Sequence, residues 1–276
     1  MNDKHGHKVD LDRENSWYKK AQKLLLNKKI IDVKWCNWDD EDYSTTGLVF
    51  TTNNDVSFFL LKKINRKSML IRESGRSSDY ITPSFGFGCL FKCSYCYMRR
   101  HVKNGLSVAT NTDDILNAIT EHANSLQYPK TPNQTHNSYY TYDFSCNEDF
   151  ILHAKFHDWV KIFEYFMLDD RIMGTAATKY VNDDLLTFNP NKKIRIRFSL
   201  MPQEISDKLE PGTSKIIDRI KAINEFMAAG YDVHINYSPI IVYDNSKQAY
   251  AELFDLVNKH VHDSYKEQVT RCTSIT

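Results

Sequence analysis

Three cysteines within eight residues, Cys89, Cys93 and Cys96, are the side chains of this sequence best suited to hold an inorganic cofactor. Three residues separate the first pair and two separate the second, so a short loop can turn three thiolates toward one group. A structural zinc ion usually takes four protein ligands. A cubane iron–sulfur cluster held by only three thiolates leaves one iron open to an outside ligand. The spacing therefore favours such a cluster.

Two other interpretations of these cysteines stay open. They could be part of a zinc site whose fourth ligand is Cys146, Cys272 or a histidine, or they could be separate thiols in a reducing compartment. Six cysteines among 276 residues are too few to indicate a disulfide framework, and the polar N-terminus lacks the apolar segment of a secretory signal. We therefore expect a cytoplasmic protein.

The overall composition limits the class of partner. Lys and Arg number 36 against 35 Asp and Glu, which gives a net charge of +1, so a nucleic acid would have to be held by a local patch. No stretch approaches the length of apolar sequence that spans a membrane. The hydrophobic content of 41% is sufficient for a buried core, and the aromatic content of 13% leaves aromatic residues for a substrate cleft.

Alternating strand and helix patterns between residues 80 and 261 predict the elements that position the cysteine loop. The predicted strands cover 80–87, 138–144, 172–178, 194–200 and 232–242, and the predicted helices cover 112–126, 156–168, 183–188, 213–229 and 246–261. Five such βα units imply a parallel sheet with helices outside it, and chemistry at the C-terminal ends of the strands. An open doubly wound sheet is the alternative, but no Gly-x-Gly-x-x-Gly follows the first strand.

Polar and sulfur side chains do follow these strand ends. The cysteine loop comes after the first strand, Cys146 and Glu148 after the second, Lys179 after the third, Ser199 late in the fourth and Ser238 late in the fifth. On residue type alone, Cys146 could equally be a small buried hydrophobe, Lys179 an exposed lysine, and the tyrosines of the loop core aromatics.

The first 76 residues are predicted to form an N-terminal extension, with a helix over 17–31 and a hairpin over 47–61 whose turn is at 53–55. Residues 77–276 are predicted to form the main domain. The basic stretch over 62–76 is either a solvated loop or a patch that contacts phosphates.

The aromatic residue directly before the third cysteine, Tyr95, adds a family resemblance. Cys-x3-Cys-x2-Cys with an aromatic at that position resembles the signature of radical S-adenosylmethionine (radical SAM) enzymes. This resemblance implies one [4Fe–4S] cluster whose open iron takes the amino and carboxylate groups of SAM.

Several segments between about residues 80 and 260 together resemble the spore photoproduct lyase family of radical SAM enzymes. They are the cysteine loop over 89–98, the Ser-Cys pair within 143–149, Ala-Thr-Lys-Tyr at 177–180, the strand 195–200, Leu-Glu-Pro-Gly-Thr-Ser at 209–214, and Ser-Pro-Ile at 238–240. The resemblance implies a partial (β/α)6 TIM-like barrel with an N-terminal extension. It also implies a lyase that repairs a cross-linked thymine dimer in DNA through a 5′-deoxyadenosyl radical, and an electron donor such as flavodoxin or ferredoxin.

The same resemblance implies roles for individual residues. Cys146 corresponds to the thiol that returns a hydrogen atom to the product radical, and Tyr95 and Tyr97 correspond to the tyrosines that help to relay it. The residues expected to contact SAM are Tyr95, Glu148, Lys179, Ser199 and Ser238. At the Glu148 position the family has a serine, although a carboxylate there could accept a hydrogen bond from the SAM ammonium group.

The resemblance does not extend to the C-terminal part that binds the substrate in the family. Family members continue with a further strand and a β-hairpin that grips damaged DNA, whereas this sequence ends soon after the fifth predicted helix. We expect either that the chain is truncated or that it recognises its substrate in another way. The basic residues after the cysteine loop either contact phosphates or form an ordinary solvated turn; they are Arg99, Arg100, His101 and Lys103. The alternatives are a radical SAM enzyme for an RNA base or a peptide, and a catalytically inactive metal-binding module that binds nucleic acid.

Overall fold

The computed structural model describes the backbone of residues 30–40, 43–52, 58–62, 69–98 and 105–269, and the side chains of 69–98 and 106–267. The predicted helix over 17–31 lies outside these ranges, except for its last two residues, which belong to a strand. The predicted hairpin turn at 53–55, the basic residues over 99–103 and Cys272 also lie outside them.

The described residues contain eleven strands and seven α-helices. The strands are β1 (Ile30–Asp40), β2 (Tyr43–Thr52), β3 (Phe58–Lys62), β4 (Arg72–Glu73), β5 (Tyr80–Ile81), β6 (Gly86–Gly88), β7 (Gly105–Ala109), β8 (Tyr140–Asp143), β9 (Ile172–Thr178), β10 (Ile194–Ser199) and β11 (Asp232–Asn236). The helices are α1 (Thr112–Ser125), α2 (Phe150–His153), α3 (Trp159–Leu168), α4 (Gln203–Leu209), α5 (Ile216–Ala228), α6 (Ser246–His260) and α7 (Asp263–Val269). Two 3₁₀ turns lie at Ala154–Phe156 and Asp183–Thr187.

The central sheet has the strand order β11-β10-β9-β8-β5-β4. Strands β5, β8, β9, β10 and β11 are parallel to one another, and β4 pairs antiparallel with β5 at the edge. The order follows the chain without a reversal, unlike a doubly wound sheet, whose order reverses at a switch point. The predicted α/β class and parallel sheet are therefore confirmed, while closure into a barrel is not shown.

The predicted single strand over 80–87 is wrong, because the structure divides it between two sheets. Strand β5 ends at Ile81 in the central sheet, and β6 begins at Gly86 in a second sheet. Pro83 lies between them, and its missing N–H cannot contribute to a strand ladder. The chain thus leaves the central sheet before it enters the cysteine loop.

The second sheet has the order β1-β2-β3-β7-β6. The predicted hairpin is confirmed, because β2 and β3 pair antiparallel with Gly47 opposite Lys62. Strand β7, which the sequence patterns did not indicate, pairs in parallel with β3 and antiparallel with β6. This pairing crosses residue 76, the boundary predicted between the N-terminal extension and the main domain.

Helix α3 covers the central sheet through an aromatic contact layer. Asp158 caps its N-terminus, and the buried Phe163 and Phe166 pack near Phe144, which ends the β8 segment. A Cβ at Gly174 in β9 would lie 2.8 Å from both Phe144 and Phe166, so glycine is required for the helix to pack this closely. None of the helices within the described residues is both long and apolar enough to span a membrane.

Candidate functional site

The cysteine loop leaves β6 at the C-terminal edge of the central sheet. Gly88 has a φ of +106°, a left-handed value that lets the chain turn out of the strand, and its N–H donates to the Asn147 carbonyl at 3.0 Å. Cys93 is buried, and the Cys96 N–H donates to the Cys93 carbonyl at 3.1 Å in a tight turn. The loop is therefore fixed to the segment that follows β8.

The three thiols lie in one electrostatic neighbourhood. Burial raises the pKa of Cys89 to about 12, and the nearby charges of Asp149 and Cys93 add to this shift. Burial likewise raises the pKa of Cys93 to about 11, where the Lys179 ammonium opposes the shift and Cys96 adds to it. Such thiols become thiolates only beside a cation, which is what an iron–sulfur cluster provides.

No three His, Cys, Asp or Glu side chains in the described part of the chain converge as the ligands of a single metal ion would. The described residues therefore do not form the closed zinc site that the sequence left open, either with Cys146 or with a histidine. In a cubane cluster, each thiolate binds a different iron, so the three sulfurs do not need to converge on one atom. The donor set of Cys89, Cys93 and Cys96 fits that cofactor.

Tyr97 brings the cysteine loop into contact with Cys146. The Tyr97 hydroxyl donates to the Cys146 carbonyl at 2.7 Å and to Asn147 Oδ1 at 3.2 Å, and it lies 4.0 Å from Cys146 Sγ. Burial raises the pKa of the Cys146 thiol, and the Asp143 carboxylate adds to the shift, so the S–H bond is retained at neutral pH. A protonated thiol beside a phenol can transfer a hydrogen atom.

Tyr95 has a different partner from Tyr97. Its hydroxyl donates to Glu210 Oε1, and burial together with the Glu210 charge raises the pKa of Tyr95 far above its usual value. The other oxygen of Glu210 accepts from Arg219 Nη2 at 3.1 Å, and both side chains of this ion pair are 0% exposed. Arg219 also donates to the Ser199 carbonyl at 2.7 Å. A buried chain of polar groups therefore connects the cysteine loop to the end of β10.

Three of the residues expected to contact SAM lie at the ends of successive strands. Lys179 follows β9, and its Nζ lies 5.8 Å from the centre of the Tyr95 ring. Ser199 ends β10 and is buried, while Ser238 follows β11 and is half-buried. The structure thus brings Lys179 to the cysteine loop, and contact of these residues with SAM stays a prediction.

Glu148 occupies a buried position behind the loop. Its Oε2 accepts from His153 Nδ1 at 2.9 Å and from His157 Nε2 at 3.0 Å, and its side chain is 1% exposed. Burial alone would raise the pKa of Glu148, but His157 and His153 lower it to about 2. Contact of Glu148 with SAM stays a prediction, and in this conformation one of its oxygens is engaged by the two histidines.

Sequence reasoning missed His153, His157, Arg219 and Arg72. A signal was present for the two histidines, which lie four residues apart shortly after Glu148. Arg219 lies in a segment that resembles the family, although no role was assigned to it. Arg72 belongs to the basic stretch over 62–76, and only the fold brings it to the site.

Arg72 lies at the rim of the site on β4. Strand pairing places it opposite Ile81, and Ile81 lies opposite Asp143 in β8, which leads to Cys146. Its guanidinium is exposed and makes no hydrogen bond or ion pair within the described residues. Burial and the Cys146 thiolate raise the pKa of Tyr97, while the positive charge of Arg72 opposes that rise.

A cavity of about 720 Å³ lies away from this constellation, between the start of α4, the start of α5 and helix α6. Glu204, Lys208, Tyr243 and Glu252 are among its lining residues, and none of the predicted site residues lines it. The position of this cavity therefore gives no reason to move the site from the cysteine loop.

Comparison with known proteins identifies related chains. The model of the spore photoproduct lyase family matches residues 60–273. Spore photoproduct lyase of Bacillus subtilis (strain 168) is 26% identical over 209 residues, which cover 74% of this chain and 58% of the relative. The enzyme of the same name from Geobacillus sp. (strain Y412MC61) is 28% identical over 193 residues, which cover 68% of this chain and 54% of the relative. The chain thus spans little more than half the length of these relatives.

Solved structures show the same likeness. A structure of spore photoproduct lyase complexed with dinucleoside spore photoproduct has a TM-score of 0.65 and 25% identity, and the match covers 74% of this chain and 58% of that one. A double mutant of spore photoproduct lyase with bound AdoMet and dinucleoside spore photoproduct has the same TM-score of 0.65 at 24% identity. These neighbours have the same arrangement of sheet and helices over that part of the chain.

Proposed function

Since the family match over residues 60–273 shows that this chain belongs to the spore photoproduct lyase family, we propose that it is a radical SAM lyase that splits a thymine dimer lesion in DNA. The observation that carries the proposal is the position of the Cys146 thiol, 4.0 Å from the Tyr97 hydroxyl and directly beside the cysteine loop. A hydrogen donor for a carbon radical has to lie next to the site where the radical is generated.

The cofactors proposed are one [4Fe–4S] cluster, held by Cys89, Cys93 and Cys96, and S-adenosylmethionine. Bound together, they supply a 5′-deoxyadenosyl radical that can take a hydrogen atom from the lesion. Lys179 contributes a positive charge that can pair with a carboxylate, and Ser199 and Ser238 contribute hydroxyl groups at the neighbouring strand ends. Glu148 and Tyr95 are the other two proposed contacts.

Cys146 then completes the reaction of the substrate. The dimer fragments to leave a carbon radical on the product; the S–H bond of Cys146 breaks and a C–H bond forms. The thiyl radical that remains takes a hydrogen atom from the Tyr97 hydroxyl, so that the S–H bond re-forms as the O–H bond breaks. The radical left on the relay of Tyr97 and Tyr95 regains a hydrogen atom, either from 5′-deoxyadenosine or as one electron from the reductant and one proton. The raised pKa values of Cys146 and Tyr97 support these roles, because both groups keep their hydrogen at neutral pH.

The proposed partner is DNA that carries the lesion. With a net charge of only +1, recognition must come from local charge, and Arg72 offers an exposed guanidinium beside Cys146. The reductant proposed is a small electron-transfer protein such as flavodoxin or ferredoxin. We place the protein in the cytoplasm without a membrane partner, where a reducing environment protects an iron–sulfur cluster.

Anaerobic reconstitution with iron and sulfide, followed by dithionite, SAM and dinucleoside spore photoproduct, tests the proposal. We expect a brown protein with about four irons per chain that converts the lesion to thymine. Cys146→Ala is the matched variant, expected to keep the irons and SAM cleavage but to lose correct product formation. Cys93→Ala is expected to lose the cluster.

Each failure of this experiment has a distinct meaning. SAM cleavage without any change in the lesion would refute the substrate and point to another target, such as an RNA base or a peptide. A colourless wild-type protein that contains zinc, and whose binding of nucleic acid is unchanged in Cys89→Ala, would refute the proposed enzymatic activity. That result would favour a catalytically inactive binding module.

A further inference from the structure

The segment behind the cysteine loop contains a carboxylate that the proposed reaction does not require in its observed position. Glu148 is 1% exposed, and only one of its two oxygens is used by His153 and His157. The other oxygen, Oε1, is buried and has no hydrogen-bond partner within the described residues. A buried carboxylate oxygen without a partner is rare in a folded protein, so Oε1 calls for an explanation.

His153 connects this carboxylate directly to the loop. The Leu90 N–H donates to His153 Nε2 at 3.3 Å, so Nε2 carries no proton. The ring proton is then on Nδ1, from which it is donated to Glu148 Oε2. Leu90 is the residue after Cys89, and Glu148 therefore holds the backbone of the loop through one imidazole ring.

The opposite face of the carboxylate lies against the strand that enters the loop. A Cβ built on Gly86 in β6 would lie 2.4 Å from Glu148 Oε2 and 2.5 Å from Oε1. Only a residue without a side chain leaves room for the carboxylate here. In addition, the backbone N–H of Asp149, the residue after Glu148, faces the Cys89 thiol.

The reduction potential of an iron–sulfur cluster depends on nearby charge, on hydrogen bonding and on solvent exposure. We propose that Glu148 and His153 are positioning residues that fix the first part of the cysteine loop, and that the ionised Glu148 carboxylate lowers the reduction potential of the cluster that this loop would hold. The part that concerns the potential rests on the proposed function, because it requires the cluster. The part that concerns the loop does not.

Hydrogen exchange in the cluster-free protein tests the loop. His153→Leu removes the acceptor of the Leu90 N–H, and we expect peptides over 86–92 to exchange roughly fivefold faster or more, the factor that corresponds to one lost hydrogen bond. His157→Leu is the matched control, because it also removes one donor to Glu148 but does not contact the loop. Equal exchange over 86–92 in both variants would overturn the positioning role.

An anaerobic redox titration followed by electron paramagnetic resonance tests the charge. Glu148→Gln keeps the shape of the side chain, and we expect it to bind the same amount of iron while the reduction potential shifts in the positive direction. Glu148→Ser, which introduces the residue that the family has at this position, is expected to shift it in the same direction. Asp232→Asn, at the far edge of the sheet, is the control for removal of a buried carboxylate.

The two proposals fail in different ways. A wild-type chain that binds no cluster would refute the proposed function and, with it, the effect on the potential, and hydrogen exchange would still decide the role of His153. If the wild type binds a cluster and its reduction potential is the same as in Glu148→Gln, Glu148→Ser and Asp232→Asn, the charge effect alone is refuted. Unchanged far-ultraviolet circular dichroism is the criterion that each variant is folded.

Discussion

The two edges of the central sheet differ in whether their charged side chains form ion pairs. At the edge where the parallel strands begin, Arg195 Nε lies 2.6 Å from Asp232 Oδ2 and Lys130 Nζ lies 2.6 Å from Asp79 Oδ2. Three of these four residues are buried, and Asp79 is largely shielded from solvent. At the edge where the strands end, Arg72 and Lys179 make no ion pair within the described residues. Charges at the first edge neutralise each other. At the second edge Arg197 pairs with Asp143 at 2.6 Å, whereas Arg72 and Lys179 remain available to a ligand.

Two other groups of paired charges at the second edge hold the cysteine loop. Glu210 and Arg219 form a fully buried pair in front of the loop, and Glu148 with its two histidines lies behind it. These groups are closed to solvent like those at the opposite edge, but they contact Tyr95 and Leu90 rather than only each other. The comparison therefore separates three kinds of charged residue: those that stabilise the fold, those that position the loop and those that face a substrate.

The largest expected effect comes from breaking the buried pair in front of the loop. Arg219→Leu leaves Glu210 buried without its cation, and we expect a loss of about 3–5 kcal/mol in the free energy of unfolding, measured by urea denaturation of cluster-free protein. The variant is also expected to bind less iron, because Tyr95 loses its fixed partner.

Arg195→Met is the matched variant at the opposite edge. It also removes a buried cation from a carboxylate, so it is expected to destabilise the fold. Its iron content and its rate of SAM cleavage, measured well below the unfolding temperature, should match those of the wild type. If Arg195→Met loses the cluster as Arg219→Leu does, the distinction between the two edges is wrong.

The next effect depends on pH. Because His157 and His153 hold the pKa of Glu148 at about 2, below its usual 4.5, the ionised carboxylate stabilises the fold above pH 4.5, and this contribution is lost as the pH falls toward 2. At pH 6, Glu148→Gln should be less stable than wild type by on the order of 3 kcal/mol. Urea denaturation at pH 6 and near pH 3 should show a smaller difference at the lower pH, and an equal difference would contradict the assignment.

A smaller effect is expected at the proposed hydrogen relay. Tyr97→Phe removes the hydroxyl that donates to the Cys146 carbonyl at 2.7 Å and that returns a hydrogen atom to Cys146. Turnover of the lesion should slow at least about fivefold, the factor that corresponds to one lost neutral hydrogen bond of ~1 kcal/mol. Iron content should not change. Tyr231→Phe removes a buried hydroxyl that donates to the Leu185 carbonyl at 2.7 Å, and this control should affect stability but not turnover.

The smallest effect is expected for the exposed arginine at the rim. Arg72→Gln should raise KM for a lesion with a bridging phosphate about two- to fivefold and leave kcat unchanged, as one solvent-exposed charge contact would give. The difference should shrink at high salt and be absent for the dinucleoside without phosphate. Arg171→Gln, whose wild-type side chain pairs with Asp169, is the control at the other edge, and an equal rise in its KM would remove Arg72 from the site.

Much of the central sheet could be predicted from the sequence, because its strands are short segments rich in β-branched and aromatic residues. Strand β9 has the predicted bounds, and β10 differs by one residue. Strand β7 was missed because one of its partners, β3, is distant in sequence, and the other, β6, is only three residues long. The division of the segment over 80–87 also depends on which sheet each half joins, and no local pattern encodes that.

The candidate site was predictable where a single short motif carries the chemistry. The cysteine spacing points to a cluster, and the structure does bring Tyr97 to Cys146. Glu148 was also named from the sequence, but Arg219 and Arg72 were not predictable, because these two residues acquire their positions only through contacts between distant elements. Residue type and spacing can nominate a ligand, but they do not specify what holds it in place.

The sheet that contains the N-terminal strands has a practical consequence for working with this protein. Within the described residues, the one strand that pairs with β6, which runs directly into Cys89, is β7, and β7 in turn has β3 as its other neighbour. A shortened version that begins after Lys62 would leave the first cysteine attached to an isolated two-stranded ribbon, which is marginally stable in water. The early part of the chain is therefore a structural foundation for the cofactor loop, and an expression design that trims it should be expected to yield protein that cannot retain iron.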